Sequence, residues 1–188
     1  MAFTRSRGPQ PQKGTLAYSE KQSAGARGSL FLVIVLTLIN IILTVFTDSG
    51  RIFLFSALAP MTFSGSAAEA YQYGDTVFMV IALGIVLVFM IGWVICALLW
   101  KKGLAASIIA ALLYLADCLF VAVGMIGVEN EVLRESLPIA VFHVLIMIYL
   151  IVGIVHEAKA RKLRKEAEFT AAFVAEQEKE NAQNGPEL

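Results

Sequence analysis

The sequence is poor in charged residues and in cysteine. Only 16% of its 188 residues are charged, and only two are cysteines. A soluble domain carries roughly 25% charged residues, so this chain has too little polar surface to enclose its own apolar side chains. Cys96 and Cys118 form neither a disulfide framework nor a metal motif. Both lie inside apolar runs, where we interpret them as small packing residues.

Several functional signatures are missing as well. The sequence contains no glycine-rich phosphate loop with a lysine, no His-Glu-x-x-His and no Gly-x-Ser-x-Gly. Its 15 basic residues are balanced by 15 acidic ones, whereas a nucleic-acid-binding domain is usually basic. We therefore predict no nucleic-acid partner, no cofactor and no metal, and no catalytic residues can be assigned.

What the sequence does have is apolar residues, which make up 58% of the chain. They are concentrated in four runs that reach the length needed to span a bilayer, about 20 residues each. The runs are approximately 29–47, 76–100, 103–128 and 136–155. Short connections after the second and third runs favour antiparallel neighbours. We predict an all-α polytopic membrane protein whose four transmembrane helices form an up-down bundle.

Basic residues indicate the orientation of this bundle. Five lie in residues 1–28, two in the 101–102 turn and six after residue 155, but only one in each of the other two connections. The positive-inside rule then places both termini in the cytoplasm. We interpret 1–28 as a flexible basic tail, 29–157 as the transmembrane domain and 158–188 as a basic, amphipathic helical tail.

The loop between the first two spans contains an apolar stretch at 52–61 that is too short to cross the membrane. It either lies against the outer leaflet or forms a lid or a partner-binding surface. Asp48-Ser-Gly-Arg51, followed by Phe53-Leu-Phe-Ser-Ala-Leu-Ala-Pro60, resembles the first outer loop of uncharacterised short four-helix membrane proteins of Gram-positive bacteria. The resemblance implies a multi-pass protein of a bacterial plasma membrane and brings no catalytic residues.

Three of the predicted spans carry a strongly polar side chain at a similar depth, where such groups are costly. At about 1.5 Å per residue, Asn40, Asp117 and His143 lie roughly 17, 21 and 20 Å from the cytoplasmic ends of their spans. Tyr114 lies one turn before Asp117. We expect these four residues to form an intramembrane cluster, and the second span to pack through small residues such as Gly84 and Gly92.

Two interpretations of this cluster remain open. In the first, Asp117 hydrogen-bonds to His143, Asn40 or Tyr114 and fixes the register of the bundle. In the second, the Asp–His pair is a proton or substrate site, as in transport relays. Intramembrane catalysis or a metal is a further alternative, although one histidine and one carboxylate are too few for a closed zinc site.

Aromatic and basic residues suit the membrane interfaces. Tyr71 and Tyr73 are placed for the outer aromatic belt and Trp100 for the inner one. Anionic lipid attracts juxtamembrane cations by about 1 kcal/mol each. Five are predicted to contact headgroups after the last span: Lys159, Arg161, Lys162, Arg164 and Lys165. Beyond them the chain continues as a helix that rests on the membrane or docks onto another protein.

The leading functional hypothesis is a non-enzymatic accessory or assembly component that acts as a homo-oligomer or with another membrane protein. The alternative is a small proton-linked transporter or permeation protein that uses the Asp/His/Asn cluster. An enzyme acting on a lipid headgroup ranks last, because the outer loop offers no nucleophile–base pair.

Overall fold

All regular secondary structure in the described part of the chain is α-helical. A computed structural model describes residues 11–47, 56–126 and 130–183, with side chains over 11–43, 56–126 and 137–180. Over these ranges it contains five helices and no strand: α1 (Leu16–Thr47), α2 (Leu58–Gln72), α3 (Thr76–Leu99), α4 (Leu104–Gly124) and α5 (Asn130–Gln183).

Four of these helices, α1, α3, α4 and α5, are long and apolar enough to cross a membrane. Their outward faces carry exposed apolar side chains, such as Val80 on α3 and Leu112 on α4, which water would not tolerate over so large an area. The predicted all-α architecture with four candidate membrane spans is thereby confirmed. The fifth helix, α2, has 15 residues, so its length of roughly 22 Å is too short to cross the bilayer.

The four long helices pack as a ring of neighbours, with α2 against three of them. Helix α1 contacts α5 and α3, and α4 contacts α3 and α5, while α2 packs on α1, α3 and α4. The core between them is aromatic and aliphatic. Its largest fully buried side chains include Trp93, Trp100, Tyr114, Leu30 and Leu150.

Helix α1 is longer than the sequence predicts and corrects the predicted flexible tail. It begins at Leu16, so the second half of the tail at 1–28 is helical. Ser19, Ser23 and Ala26 are buried there, and Tyr18 packs edge-on against the ring of His156 in α5 at 5.4 Å. Packing against α5 outweighs the polar composition of the segment, on which the prediction relied.

Helix α5 confirms that the C-terminal tail is helical as far as Gln183, but its limits differ from those of the predicted span at 136–155. It begins at Asn130 and runs without a break to Gln183. Helix α4 ends at Gly124, before the predicted limit at residue 128, which lies outside the described ranges.

Trp100 does not lie in an interfacial belt. Its side chain is fully buried, and its Nε1 donates a hydrogen bond to Ser23 Oγ at 2.9 Å. Tyr71 and Tyr73, in contrast, are exposed around the turn between α2 and α3, as expected for interfacial residues.

Glycine allows close approach of helices at two positions. A Cβ atom at Gly153 of α5 would collide with the Cβ of Ala26 in α1, and one at Gly92 of α3 would lie 2.9 Å from Leu113 Cδ1 in α4. Gly92 therefore packs as predicted. Gly84 does not, since a Cβ there would have no neighbour within 4 Å.

Substituting Gly153 and Gly84 with alanine is predicted to have opposite effects. Alanine favours a helix over glycine by about 1 kcal/mol, so Gly84→Ala should raise or preserve the thermal unfolding midpoint in detergent. Gly153→Ala should lower it, because overpacking of a close contact costs about 1–3 kcal/mol. Equal midpoints for the two variants would contradict the close contact of α1 with α5.

Candidate functional site

Helix α2 begins inside the bundle. Ser56, Ala57 and Ala59 are buried, and their neighbours in α1 are Thr37 and Asn40. These two residues precede the end of α1 by ten and seven positions, or roughly 15 and 10 Å along the helix axis. The chain therefore returns into the bundle after α1. This corrects the interpretation that the apolar stretch lies on the outer leaflet, for its described residues 56–61.

Helix α1 holds the residues just before α2. Thr37 Oγ1 accepts a hydrogen bond from the backbone N–H of Ala57 at 2.8 Å and donates to Val33 O at 2.7 Å. One turn further on, Asn40 Nδ2 donates to Ser56 Oγ at 2.6 Å. Two polar side chains of α1 thus bind the entry to α2.

Asp117 of α4 caps the first turn of α2. Its Oδ1 accepts from the N–H of Ala59 at 2.7 Å, and its Oδ2 accepts from that of Leu58 at 3.3 Å. Ala57, at the N-cap position, has no side chain able to cap. The remaining position of the turn is Pro60, which has no N–H. The N–H groups at the start of a helix have no acceptor within that helix. Here each of them has an acceptor on another helix.

His143 of α5 completes the cluster. Its Nε2 lies 2.9 Å from Asp117 Oδ2, and its Nδ1 lies 2.8 Å from the carbonyl oxygen of Ile139. Since a carbonyl only accepts, Nδ1 carries a proton. One further proton must lie between Nε2 and Oδ2. The two N–H donors from α2 and the positive end of its dipole are both directed at this carboxyl group.

Tyr114 joins the cluster through its ring. The ring stacks on that of His143, with centroids 5.7 Å apart and an angle of 16°, and it also contacts Trp93 at 6.1 Å. Its buried hydroxyl has no hydrogen-bond partner among the described residues, and neither has the indole nitrogen of Trp93. The aromatic rings exclude lipid and water from the ion pair on this side.

The structure brings the four predicted residues together at the buried start of α2, which the sequence analysis missed. Asn40, Asp117, His143 and Tyr114 are all buried, and Asp117 binds His143 as one interpretation required. The missed partners are Thr37 and the backbone at 56–59. A signal was present, since a helix beginning Ala-Leu-Ala-Pro has no capping side chain of its own.

The chemical capacity of the cluster is limited by these bonds. Both oxygens of Asp117 and both ring nitrogens of His143 are engaged. Within the described ranges, no three His, Cys, Asp or Glu side chains are grouped so as to hold a metal ion. What the cluster can do is hold α2 in place and store one proton between two side chains.

Three of the five basic residues predicted to contact lipid headgroups form ion pairs with glutamates of the protein. Arg161 pairs with Glu157 and also donates to the carbonyl oxygen of Lys101. Lys162 pairs with Glu166 at 3.8 Å, and Arg164 pairs with Glu20 at 2.6 Å. Lys159 and Lys165 are exposed.

No protein-family model, no curated protein and no solved structure matches the chain. The interpretation of the site therefore depends on its geometry.

We predict that Asp117→Ala releases the first turn of α2, while Asp75→Ala does not release α3. Asp75 is a matched control, because it caps the exposed start of α3 by accepting from Phe78 N–H at 3.0 Å. Loss of an exposed cap costs about 0.5–2 kcal/mol. Loss of Asp117 should cost about 3 kcal/mol or more, because it strands two buried N–H groups and His143. Hydrogen exchange at residues 58–59 should rise steeply only in Asp117→Ala, and unchanged exchange would contradict the cap.

Thr37→Val should destabilise the same segment from the α1 side. Valine keeps the shape of threonine but leaves the buried Ala57 N–H without an acceptor, at a cost of about 1–3 kcal/mol. Thr170→Val is the control, because Thr170 also donates to the carbonyl four residues earlier, at 2.9 Å, but is exposed. The two thermal unfolding midpoints are compared; a shift in Thr170→Val as large as that in Thr37→Val would refute the role of Thr37.

Proposed function

We propose that the protein is a non-enzymatic accessory or assembly component of a bacterial plasma membrane. In this proposal the polar cluster is structural, since its carboxylate and imidazole are already bonded to protein groups. Neither is free to act as a nucleophile or a general base. The activity then consists of binding another protein or a second copy of the chain.

The observation that carries this proposal is the C-terminal extension of α5. From Val155 to Gln183 the helix continues for roughly 42 Å. Every described side chain from Lys165 to Glu180 is exposed, including Phe169 at 75% and Phe173 at 52%. A single helix in water gains little stability by itself, and two exposed phenylalanines one turn apart fit the face of a docking helix.

The proposed orientation places this extension in the cytoplasm. The extension, the start of α1 and the Lys101–Lys102 turn lie at one end of the bundle, since Arg161 reaches Lys101 O and Arg164 reaches Glu20. Most basic residues lie at this end, which the positive-inside rule assigns to the cytoplasm. The four spans then alternate in direction as an up-down bundle with both termini inside.

Crosslinking from the extension tests the proposal. A photo-reactive amino acid at position 169 in the full-length protein should crosslink in cells to a second copy or to another membrane protein. Phe169→Ser/Phe173→Ser should abolish a complex seen in native purification, because it removes the apolar anchor of the interface. Glu168→Gln/Glu176→Gln alters the same helix without removing apolar surface and should preserve the complex. Recovery of monomer alone, without crosslinks, overturns the proposal.

A small proton-linked transporter is a second candidate, supported by the proton between His143 Nε2 and Asp117 Oδ2. Such a pair at mid-bundle could release and regain a proton during a transport cycle. The candidate predicts pH-dependent ion or solute flux in proteoliposomes that Asp117→Asn abolishes while the far-ultraviolet circular dichroism is unchanged. Absence of flux in the wild type, or loss of folding in Asp117→Asn, counts against transport.

A further inference from the structure

A small polar pocket lies at the end of the bundle where α1 begins. It encloses about 100 Å³ between the first turns of α1, the α3–α4 turn and α5. Trp100 and Lys101 line it where the apolar part of α3 ends, and Glu157 lines it just beyond the apolar part of α5. The pocket therefore lies at the level where the spans meet the lipid headgroups.

The two carboxylates that line the pocket are already neutralised. Glu157, only 2% exposed, accepts from Ser23 Oγ at 2.6 Å and from Arg161 Nε at 3.0 Å. Glu20 accepts from Arg164 Nη2 at 2.6 Å and from its Nε at 3.0 Å. Neither carboxylate leaves an uncompensated negative charge in the pocket.

Two cations in the lining lack such partners. The side chains of Arg27 and Lys101 form no ion pair within the described residues. The Nε of Arg27 is buried without a hydrogen-bond partner, and its guanidinium carbon lies 5.4 Å from the ring centroid of Phe31. The Arg27 side chain is only partly buried, but a buried guanidinium N–H without an acceptor is costly, and an anion would supply that acceptor.

We propose that this pocket binds a phosphate group, with Arg27 and Lys101 as its ligands. Arginine and lysine are the residues that proteins use for phosphate, and basic pockets between spans on the cytoplasmic side bind anionic headgroups. A water occupies about 30 Å³ in the liquid, so the cavity has room for a group of a few heavy atoms. Its position at the end of the spans favours the phosphate of an anionic lipid over free phosphate.

This site differs from the headgroup contacts predicted from the basic run after the last span. Three residues of that run are bound to Glu157, Glu166 or Glu20. Arg161 and Arg164 thereby neutralise the acidic lining and leave Arg27 and Lys101 as the charges that a phosphate would meet.

Ligand titration of the full-length protein in a maltoside detergent tests the site. The probes are dioctanoyl phosphatidic acid, inorganic phosphate and dioctanoylglycerol, the last of which has the acyl chains without the phosphate. Binding is followed by tryptophan fluorescence, since Trp100 lines the pocket and Trp93 is the only other tryptophan. Phosphatidic acid should change the fluorescence and raise the unfolding midpoint, and dioctanoylglycerol should do neither.

Substitutions separate specific binding from general charge. Arg27→Gln/Lys101→Gln should weaken binding at least about tenfold, as expected for losing charged hydrogen bonds. Lys102→Gln/Lys179→Gln removes the same charge from exposed positions outside the pocket and should bind as the wild type does. Binding of phosphatidic acid alone identifies a lipid phosphate, and equal binding of inorganic phosphate identifies a general phosphate site. Wild-type affinity in Arg27→Gln/Lys101→Gln, or equal losses in both double variants, overturns the proposal.

Discussion

The buried first turn of α2 is the constraint on which the rest of the interior depends. A helix that starts within a membrane bundle has backbone N–H groups that neither water nor the helix itself can bond. Here the helix begins with residues that cannot cap it, so the acceptors come from other helices. Every position of that turn is accounted for. Thr37 and Asp117 accept its N–H groups, and Pro60 has none.

The long-range cap explains why polar residues occur on three spans at one depth. Asp117 must reach the start of α2, and its buried carboxyl group has a further partner in His143, at 2.9 Å. Asn40 and Thr37 then fix the entry segment on the opposite side. These side chains fasten α1, α4 and α5 to one point of the chain, and the register of each span follows from that attachment.

Much of this architecture could be predicted from the sequence, because lipid imposes simple demands. Span length and apolar composition located the four long helices, and depth along each span located the Asn40, Asp117 and His143 cluster. The limits of the helices were harder to predict from the sequence. The start of α1 at Leu16 depends on packing against α5, more than 100 residues later, and no local pattern in a segment rich in serine and glycine indicates that contact.

The larger omission was the position of α2. It was missed because the side chain that caps α2 lies far from it in the sequence. Local rules look for the capping side chain at the N-cap residue itself, whereas Asp117 lies 58 residues after Ala59. Trp100 was misplaced for a related reason. A tryptophan at a span end usually faces the interface, but the hydroxyl of Ser23 offers a buried acceptor for its indole N–H.

Because α5 is one continuous helix, its two ends are rigidly connected. The same unbroken helix carries His143 within the bundle and Phe169 beyond it, some 26 residues or about 39 Å apart. If α5 tilts by about 10° around His143, Phe169 is displaced by roughly 7 Å. Any such tilt would also have to move the contacts of Glu157 and Arg164 with α1, which lie between these two points.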